Sequence, residues 1–205
     1  RMWPLDAVVG ENGAFYFVRR AERVLRRYQK SDSERRADRA RLDALRTEIL
    51  GAVPRARVAA DQAYRESDLA IDVCEEIEPL SGAEVAAVLD RFERAGARAK
   101  LSSIHVNGWF GDFDKLTTLR LLFSEQFGED LDAERARYLY VGDSPNDEPA
   151  FGYFPLSAGV ANIARFASGL KSPPAFVARQ SGGAGFAEIA EVVLAARVAP
   201  PGRIR

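Results

Sequence analysis

Two aspartates four residues apart, Asp143 and Asp147, close an apolar run in the stretch "YLYVGDSPNDEPAF". Neighbouring carboxylates repel and resist burial, so a folded domain keeps such a pair where something positive shares its surroundings. Two carboxylates, with waters and a phosphate, suit the octahedral shell of Mg²⁺. Lys115 follows Asp114 at the start of a helical pattern, and an ammonium there can hold a phosphate as a point charge. Each residue has a plainer alternative. Asp143 can cap a helix beginning near Pro145, and Lys115 can be a surface lysine. The spacing is not that of a calcium EF-hand loop, whose alternating acids and sixth-position glycine are absent. One histidine, His105, and one cysteine, Cys74, exclude a multi-histidine site and an internal disulfide framework. Any metal would then be a hard cation held by oxygen.

The bulk properties narrow the classes further. With 205 residues and 47% hydrophobic content, the chain can bury one large core or two small ones. A net charge of −1 gives no overall attraction for nucleic acid. No apolar run approaches the ~18–20 residues needed to span a bilayer, and no signal peptide opens the chain. A lone cysteine suits a reducing cytoplasm. The expected partner is a small molecule, with neither nucleic acid nor a membrane indicated. From Arg19 to Glu48, eleven Lys/Arg stand against six Asp/Glu, a net of +5. Interleaved acids, and no aromatic after Tyr28, favour a solvated helix over a nucleic-acid recognition helix.

The elements that must carry these residues are well marked. "LDAVVGENGAFYFV" reads as two strand-like runs around an Asn-Gly turn. Ser31 with Glu34 and Ser81 with Glu84 are capping boxes. Leu42, Leu45 and Ile49 form an apolar stripe on the first helix; Val85, Val88, Leu89 and Phe92 form one on the second, which Gly96 closes. Leu69, Ile71 and Val73 alternate with Ala70 and Asp72, predicting a strand with one buried face. "AKLSSIHVNGWF" reads as strand, turn and strand. Residues from about 20 to 111 therefore form a small α+β unit of order αββαββ. Beyond Gly111, "KLTTLRLLFSEQF" predicts an amphipathic helix, and short strands at "RYLYVGD", "FPLSAGVAN" and "PAFVAR" alternate with helices, the last following Gly185. Such alternation predicts a parallel sheet, whose ligands bind at the carboxyl ends of the strands.

Four stretches together resemble one family. "VGDSPNDEPAF" is similar to the fourth motif of the haloacid dehalogenase-like (HAD) phosphatases, and "DKLTTLRLLF" to the lysine-bearing third. "VVGENGAFYF" resembles their Glu-Asn-Gly-Ala turn leading into a type IIB cap, and "LSAGVANI" the segment after the fourth motif. The order and spacing also match, most nearly the group with sucrose-phosphate, mannosyl-3-phosphoglycerate and Cof-type phosphatases. The resemblance implies an α/β Rossmann-like HAD core, incomplete at its N-terminus, with an inserted α+β cap. Residues 1–19 and 112–205 would be core and 20–111 cap. It further implies an Mg²⁺-dependent hydrolase of a small phosphorylated sugar or similar metabolite, working through an aspartyl-phosphate. Asp143 would ligate the metal, Asp147 would complete or orient its shell, and Lys115 would neutralise the phosphoryl group. Ser144 and Asn146 would support the loop, and Asn12 would border the pocket.

The family's nucleophile, an Asp-x-Asp-Gly-Thr aspartate, and its second-motif Ser/Thr are missing. Asp112-Phe113-Asp114 is no substitute, because lysine rather than glycine follows and no buried strand precedes it. The expectation is that an upstream segment carrying the nucleophile is omitted from these 205 residues, and that the chain is inactive alone. On the cap, Arg65, His105 and Asn107 are candidate substrate contacts, and Trp109 can stack on a sugar ring. For Arg65, pairing with Glu66 or Asp68 is the alternative, and for His105 an ordinary strand position. A non-catalytic sugar-phosphate-binding or regulatory relative is the alternative function, and an interaction helix at residues 19–50 a third.

Overall fold

The computed structural model describes residues 4–198, which divide into two compact units, one up to Ala133 and one from Glu134. The first unit opens with an antiparallel sheet. Its strands are β1 (Ala7–Gly10), β2 (Phe15–Arg20) and β3 (Arg23–Tyr28), in that order. The turn between β1 and β2 is the short helical turn Glu11–Gly13, at the expected Asn-Gly.

β3 corrects one expectation. The basic run from Arg19 divides into this strand and a helix that starts only after Ser31. β3 pairs with β2 along six registers, and that tertiary pairing overrides a local composition that reads as solvated helix. As an edge strand with its side chains mostly exposed, it needs no apolar alternation.

From there the order αββαββ holds. Helix α1 (Asp32–Ala52) is followed by β4 (Arg57–Val58) and β5 (Asp68–Asp72), then α2 (Gly82–Arg94), β6 (Arg98–Leu101) and β7 (His105–Trp109). Both helices start with the expected capping boxes, Ser31 with Glu34 and Ser81 with Glu84. The strands form an antiparallel sheet of order β4-β5-β7-β6. Leu42, Leu45 and Ile49 of α1, Val88 and Phe92 of α2, and Leu69, Ile71 and Val106 of the sheet share one core.

β5 is buried on both faces, not one. Its second face carries Asp68 and Asp72, tolerated because they are hydrogen-bonded. Asp72 accepts from the amides of Cys74, Glu75 and Glu76 at 2.9, 2.7 and 2.9 Å.

Helix α3 (Lys115–Leu122) stops sooner than its apolar pattern suggests, giving way to a π-helical turn at Phe123–Phe127 that Gly128 closes at φ 68°. A short helix, α4 (Leu131–Glu134), lies at the division.

The second unit is the expected parallel sheet. β8 (Leu139–Gly142), β9 (Leu156–Gly159) and β10 (Phe176–Val177) lie in the order β10-β9-β8. α5 (Glu148–Tyr153) connects β8 to β9, and α6 (Gly182–Val198) follows β10. α6 starts at Gly182, so Gly185 lies inside its first turn rather than ahead of it. Among the described residues, no helix is long and apolar enough to cross a membrane.

Candidate active site

In the second unit, β8 ends at Gly142, and the chain turns through Asp143 and Ser144 into the turn Pro145–Asp147. Asp147 is buried, and both of its carboxylate oxygens are engaged. Oδ2 accepts the amides of Asp143 at 3.0 Å and Ser144 at 3.3 Å. Oδ1 accepts the hydroxyl of Tyr140 at 2.7 Å. Gly142 permits this closeness: a Cβ there would lie 2.7 Å from the Asp147 carboxylate carbon. Tyr140 stacks on Phe154 and meets Phe151 edge-on. Burial, then the Asp147 charge, pushes its phenol well above the usual tyrosine range.

The two aspartates therefore do different work. Asp147 shapes the loop, while half-buried Asp143 sits one residue past the carboxyl end of a parallel strand, where open α/β sheets place ligands. Ser144 is buried and Asn146 half-buried in the same turn.

The Lys115 helix start belongs to the first unit. Asp114 caps α3 by accepting the Thr117 amide at 2.8 Å, leaving Lys115 as the first helical residue. The Glu11–Gly13 turn packs directly on this helix. The Thr118 hydroxyl donates to the Gly13 carbonyl at 2.6 Å and accepts from Gln29 at 2.8 Å. A Cβ on Gly13, whose φ is +102°, would meet the Asp114 carbonyl oxygen at 2.2 Å. Glu11 and Asn12 also have positive φ, 42° and 57°. Strain of this kind persists only where the surroundings hold it. Here the Glu11 carboxylate accepts the amides of Glu66, at 2.8 Å, and Ser67. Burial raises the Glu11 pKa.

Asn12 leads into a buried polar network. Its amide donates to Asp68 at 3.0 Å. Asp68 is fully buried, which raises its pKa. Arg65 reaches Asp68 at 3.2 Å, Asn107 at 3.2 Å and, through Nε and Nη2, Asp61 at 2.8 Å. Arg65 and Asn12 thus converge on the Asp68 carboxylate, and Asn107 joins them through Arg65. His105 is buried, with Nε2 2.7 Å from Glu75. Trp109 corrects an expectation: it is 1% exposed, stacks on Phe113 and donates to the Phe113 carbonyl. It is core, and cannot stack on a sugar.

Sequence reasoning assigns no site role to Tyr140 or Glu11; Tyr140 leaves a local trace, as a polar-tipped ring one residue before the Val-Gly-Asp strand end. Asp68 enters it only as a possible partner of Arg65, and the structure forms that pair at 3.2 Å.

No family model matches the chain, and no curated protein matches it in sequence. Solved structures do match in fold. A protein from Thermoplasma acidophilum is 21% identical over 89% of this chain and 70% of its own, with a TM-score of 0.59. The sucrose-phosphatase from Synechocystis sp. PCC6803, solved with sucrose and phosphate, is 13% identical over 91% and 73%, TM-score 0.59. A sugar phosphatase of HAD subclass IIB is 10% identical over 92% and 76%, TM-score 0.59. This chain has the fold of the HAD phosphatases of type IIB. Within the HAD fold, its mixed α/β architecture is as expected: a parallel sheet and an α+β sheet with two helices.

Proposed function

We propose that the protein is an Mg²⁺-dependent phosphomonoester hydrolase acting on a small phosphorylated sugar or similar metabolite in the cytoplasm. Residues 1–19 and 112–205 are taken as core and 20–111 as the cap. The observation that carries this reading is the division of labour at β8. Asp147 is consumed by the loop, and Asp143 is presented past a parallel strand end.

The donor chemistry fits Mg²⁺, which accepts one or two carboxylates and completes its shell with water and phosphate oxygens. Among the described residues no cluster of three or more His, Cys, Asp or Glu could hold a metal. The turn itself offers carboxylate oxygens and no histidine or cysteine, a donor set that suits a hard cation rather than zinc. Asp143 would hold it, with Asp147 fixing the loop through the Asp143 and Ser144 amides. When bound, it supplies positive charge to phosphoryl oxygens. By the resemblance, Lys115 would neutralise a phosphoryl group and Asn12 would border its pocket. Arg65, Asn107 and His105 act on the substrate side, Arg65 and Asn107 through the Asp68 network and His105 beside Glu75.

No Asp-x-Asp-Gly-Thr occurs in the 205 residues. The residues assigned here would bind the metal and the phosphoryl group, and none of them is assigned as the attacking group. The same observation favours a second reading, a non-catalytic sugar-phosphate binder.

Phosphate release from a panel of sugar phosphates, with and without Mg²⁺, tests both. It should compare these 205 residues, the longest natural chain containing them, and that chain with Asp143→Asn or Lys115→Ala. Mg²⁺-dependent release by the long chain, lost in both variants, is expected. Release unchanged in both variants removes the site assignment, and binding without release by every chain selects the second reading.

A further inference from the structure

Along β8, Tyr140 and Gly142 belong to one face of the parallel sheet, and Leu139 and Val141 to the other. The Tyr140 ring stacks on Phe154, 5.6 Å between centroids, and meets Phe151 of α5 edge-on at 5.8 Å, which fixes its plane. Further along the same face, the absent side chain of Gly142 leaves room for the Asp147 carboxylate, to which the phenol donates at 2.7 Å. We infer that Tyr140 is a positioning residue that sets the ion preference of the Asp143 site. By holding Asp147 inward it keeps a second carboxylate out of the coordination shell, and so favours Mg²⁺ over Ca²⁺. This rests on the reading of Asp143 as the cation ligand.

Four donors converge on Asp147. The phenol reaches Oδ1, while Oδ2 accepts the Asp143 amide at 3.0 Å, the Ser144 amide at 3.3 Å and the Ser144 hydroxyl at 3.4 Å. An ionised carboxylate has about four lone-pair sites, so little of Asp147 is left to coordinate a cation. The strand end it lies against is pinned too, because the Gly142 carbonyl accepts the Val160 amide at 3.1 Å. Half-buried Asp143, one residue beyond, is the carboxylate that the turn presents.

Ligand count separates the two ions. Mg²⁺ is held by one or two carboxylates and keeps several waters, whereas Ca²⁺ gathers about six to eight oxygens, with carboxylates bound through one oxygen or both. Without the phenol hydroxyl, Oδ1 of buried Asp147 loses a donor, and a buried acceptor stripped of its donor is costly to leave in place. Turning toward a cation at Asp143 relieves that cost and adds a second carboxylate to the shell. The gain goes to the ion that takes more ligands. A tyrosine that served packing alone would leave the ion preference unmoved.

Isothermal titration of MgCl₂ and of CaCl₂ into the longest natural chain containing these residues, stripped of metal and held at pH 7, gives the two dissociation constants. Tyr140→Phe should move their ratio about tenfold toward Ca²⁺, the scale on which partners of metal ligands act. Adding Asp147→Asn, which removes the carboxylate that is set free, should return the ratio to the wild-type value. Carboxylate ¹³C NMR of the wild type needs no substitution and decides the matter where Tyr140→Phe does not fold. There, Mg²⁺ should move the Asp143 signal clearly more than that of Asp147. An unchanged ratio in Tyr140→Phe, a shift that persists in the double variant, or equal movement of the two signals overturns the inference. If Asp143→Asn loses both ions in those cases, the cation reading stands and the inference alone falls. A wild type that binds neither ion, or an Asp143→Asn that binds both as the wild type does, removes the two together.

Discussion

The Tyr140 hydroxyl donates to Asp147 Oδ1 at 2.7 Å, while Oδ2 of the same carboxylate gathers the amides of Asp143 and Ser144. A phenol from within the strand thus anchors the acid that shapes the loop beyond it. This leaves Asp147 few ways to move and sets the backbone at Asp143.

Tyr140→Phe tests the anchor with little loss of packing, because the ring keeps its contacts with Phe151 and Phe154. A hydrogen bond to a carboxylate contributes about 1.5–3 kcal/mol, so urea unfolding at pH 7 should show a loss in that range. The Tyr140 pKa is raised in the fold, so its stabilisation is fully present below the unfolded pKa of about 10. It declines as pH rises above that value. Wild-type stability should therefore fall more steeply than that of Tyr140→Phe above pH 10. Parallel curves there would remove the anchor.

Gly13→Ala should be among the most damaging single changes in the chain. The residue has φ +102°, and its Cβ would press on a backbone oxygen at 2.2 Å, which no side-chain rotation relieves. Strained dihedral and clash together should cost on the order of 3 kcal/mol. Gly96→Ala, at φ +73° but with open space around the new Cβ, isolates the dihedral part and should cost about 1 kcal/mol. Equal losses in the two variants would show that the turn and α3 are not in close contact.

Asp143→Asn addresses the cation directly. A ligand that binds only the folded state raises stability, by about 1.4 kcal/mol when present at ten times its dissociation constant. Adding Mg²⁺ should raise the wild-type thermal midpoint and leave Asp143→Asn where it was. An equal rise in both would place the ion elsewhere.

Much of this was legible because it is local. The two capping boxes, the stripe Leu42, Leu45 and Ile49, and the strand ending in Gly142-Asp143 depend on residues within a turn or two of each other. What failed depends on distant partners. β3 is a strand because β2 lies beside it, although its own residues look like a charged helix. Trp109 is core because Phe113 and Ala14 cover it, and a lone tryptophan does not announce its cover. Asp68 could be paired from the sequence only with nearby Arg65, because its other partner, Asn12, is 56 residues away.

Asp68 also gives the sharpest test of that network. It is fully buried, and its charge is compensated chiefly by Arg65 at 3.2 Å and the Asn12 amide at 3.0 Å. Removing one partner of a buried pair leaves an uncompensated charge, so Arg65→Ala should lose about 3–5 kcal/mol at pH 7. The Asp68 pKa is already raised in the fold, and losing Arg65 raises it further. A raised folded pKa gives stability that is present below the unfolded value, near 4, and lost as pH rises through the folded one. The deficit in Arg65→Ala should therefore shrink when urea unfolding is repeated near pH 4. Asp61, held below its usual range by Arg65, acts with the opposite sign, but its side chain is 54% exposed and it contributes little. Asp68→Asn alone keeps an acceptor for both partners and should cost far less. Combined with Arg65→Ala, it should recover most of the loss. Additive losses in the double variant would mean that Arg65 supports the fold through Asp61 or its own packing, and that Asp68 is not the charge it serves.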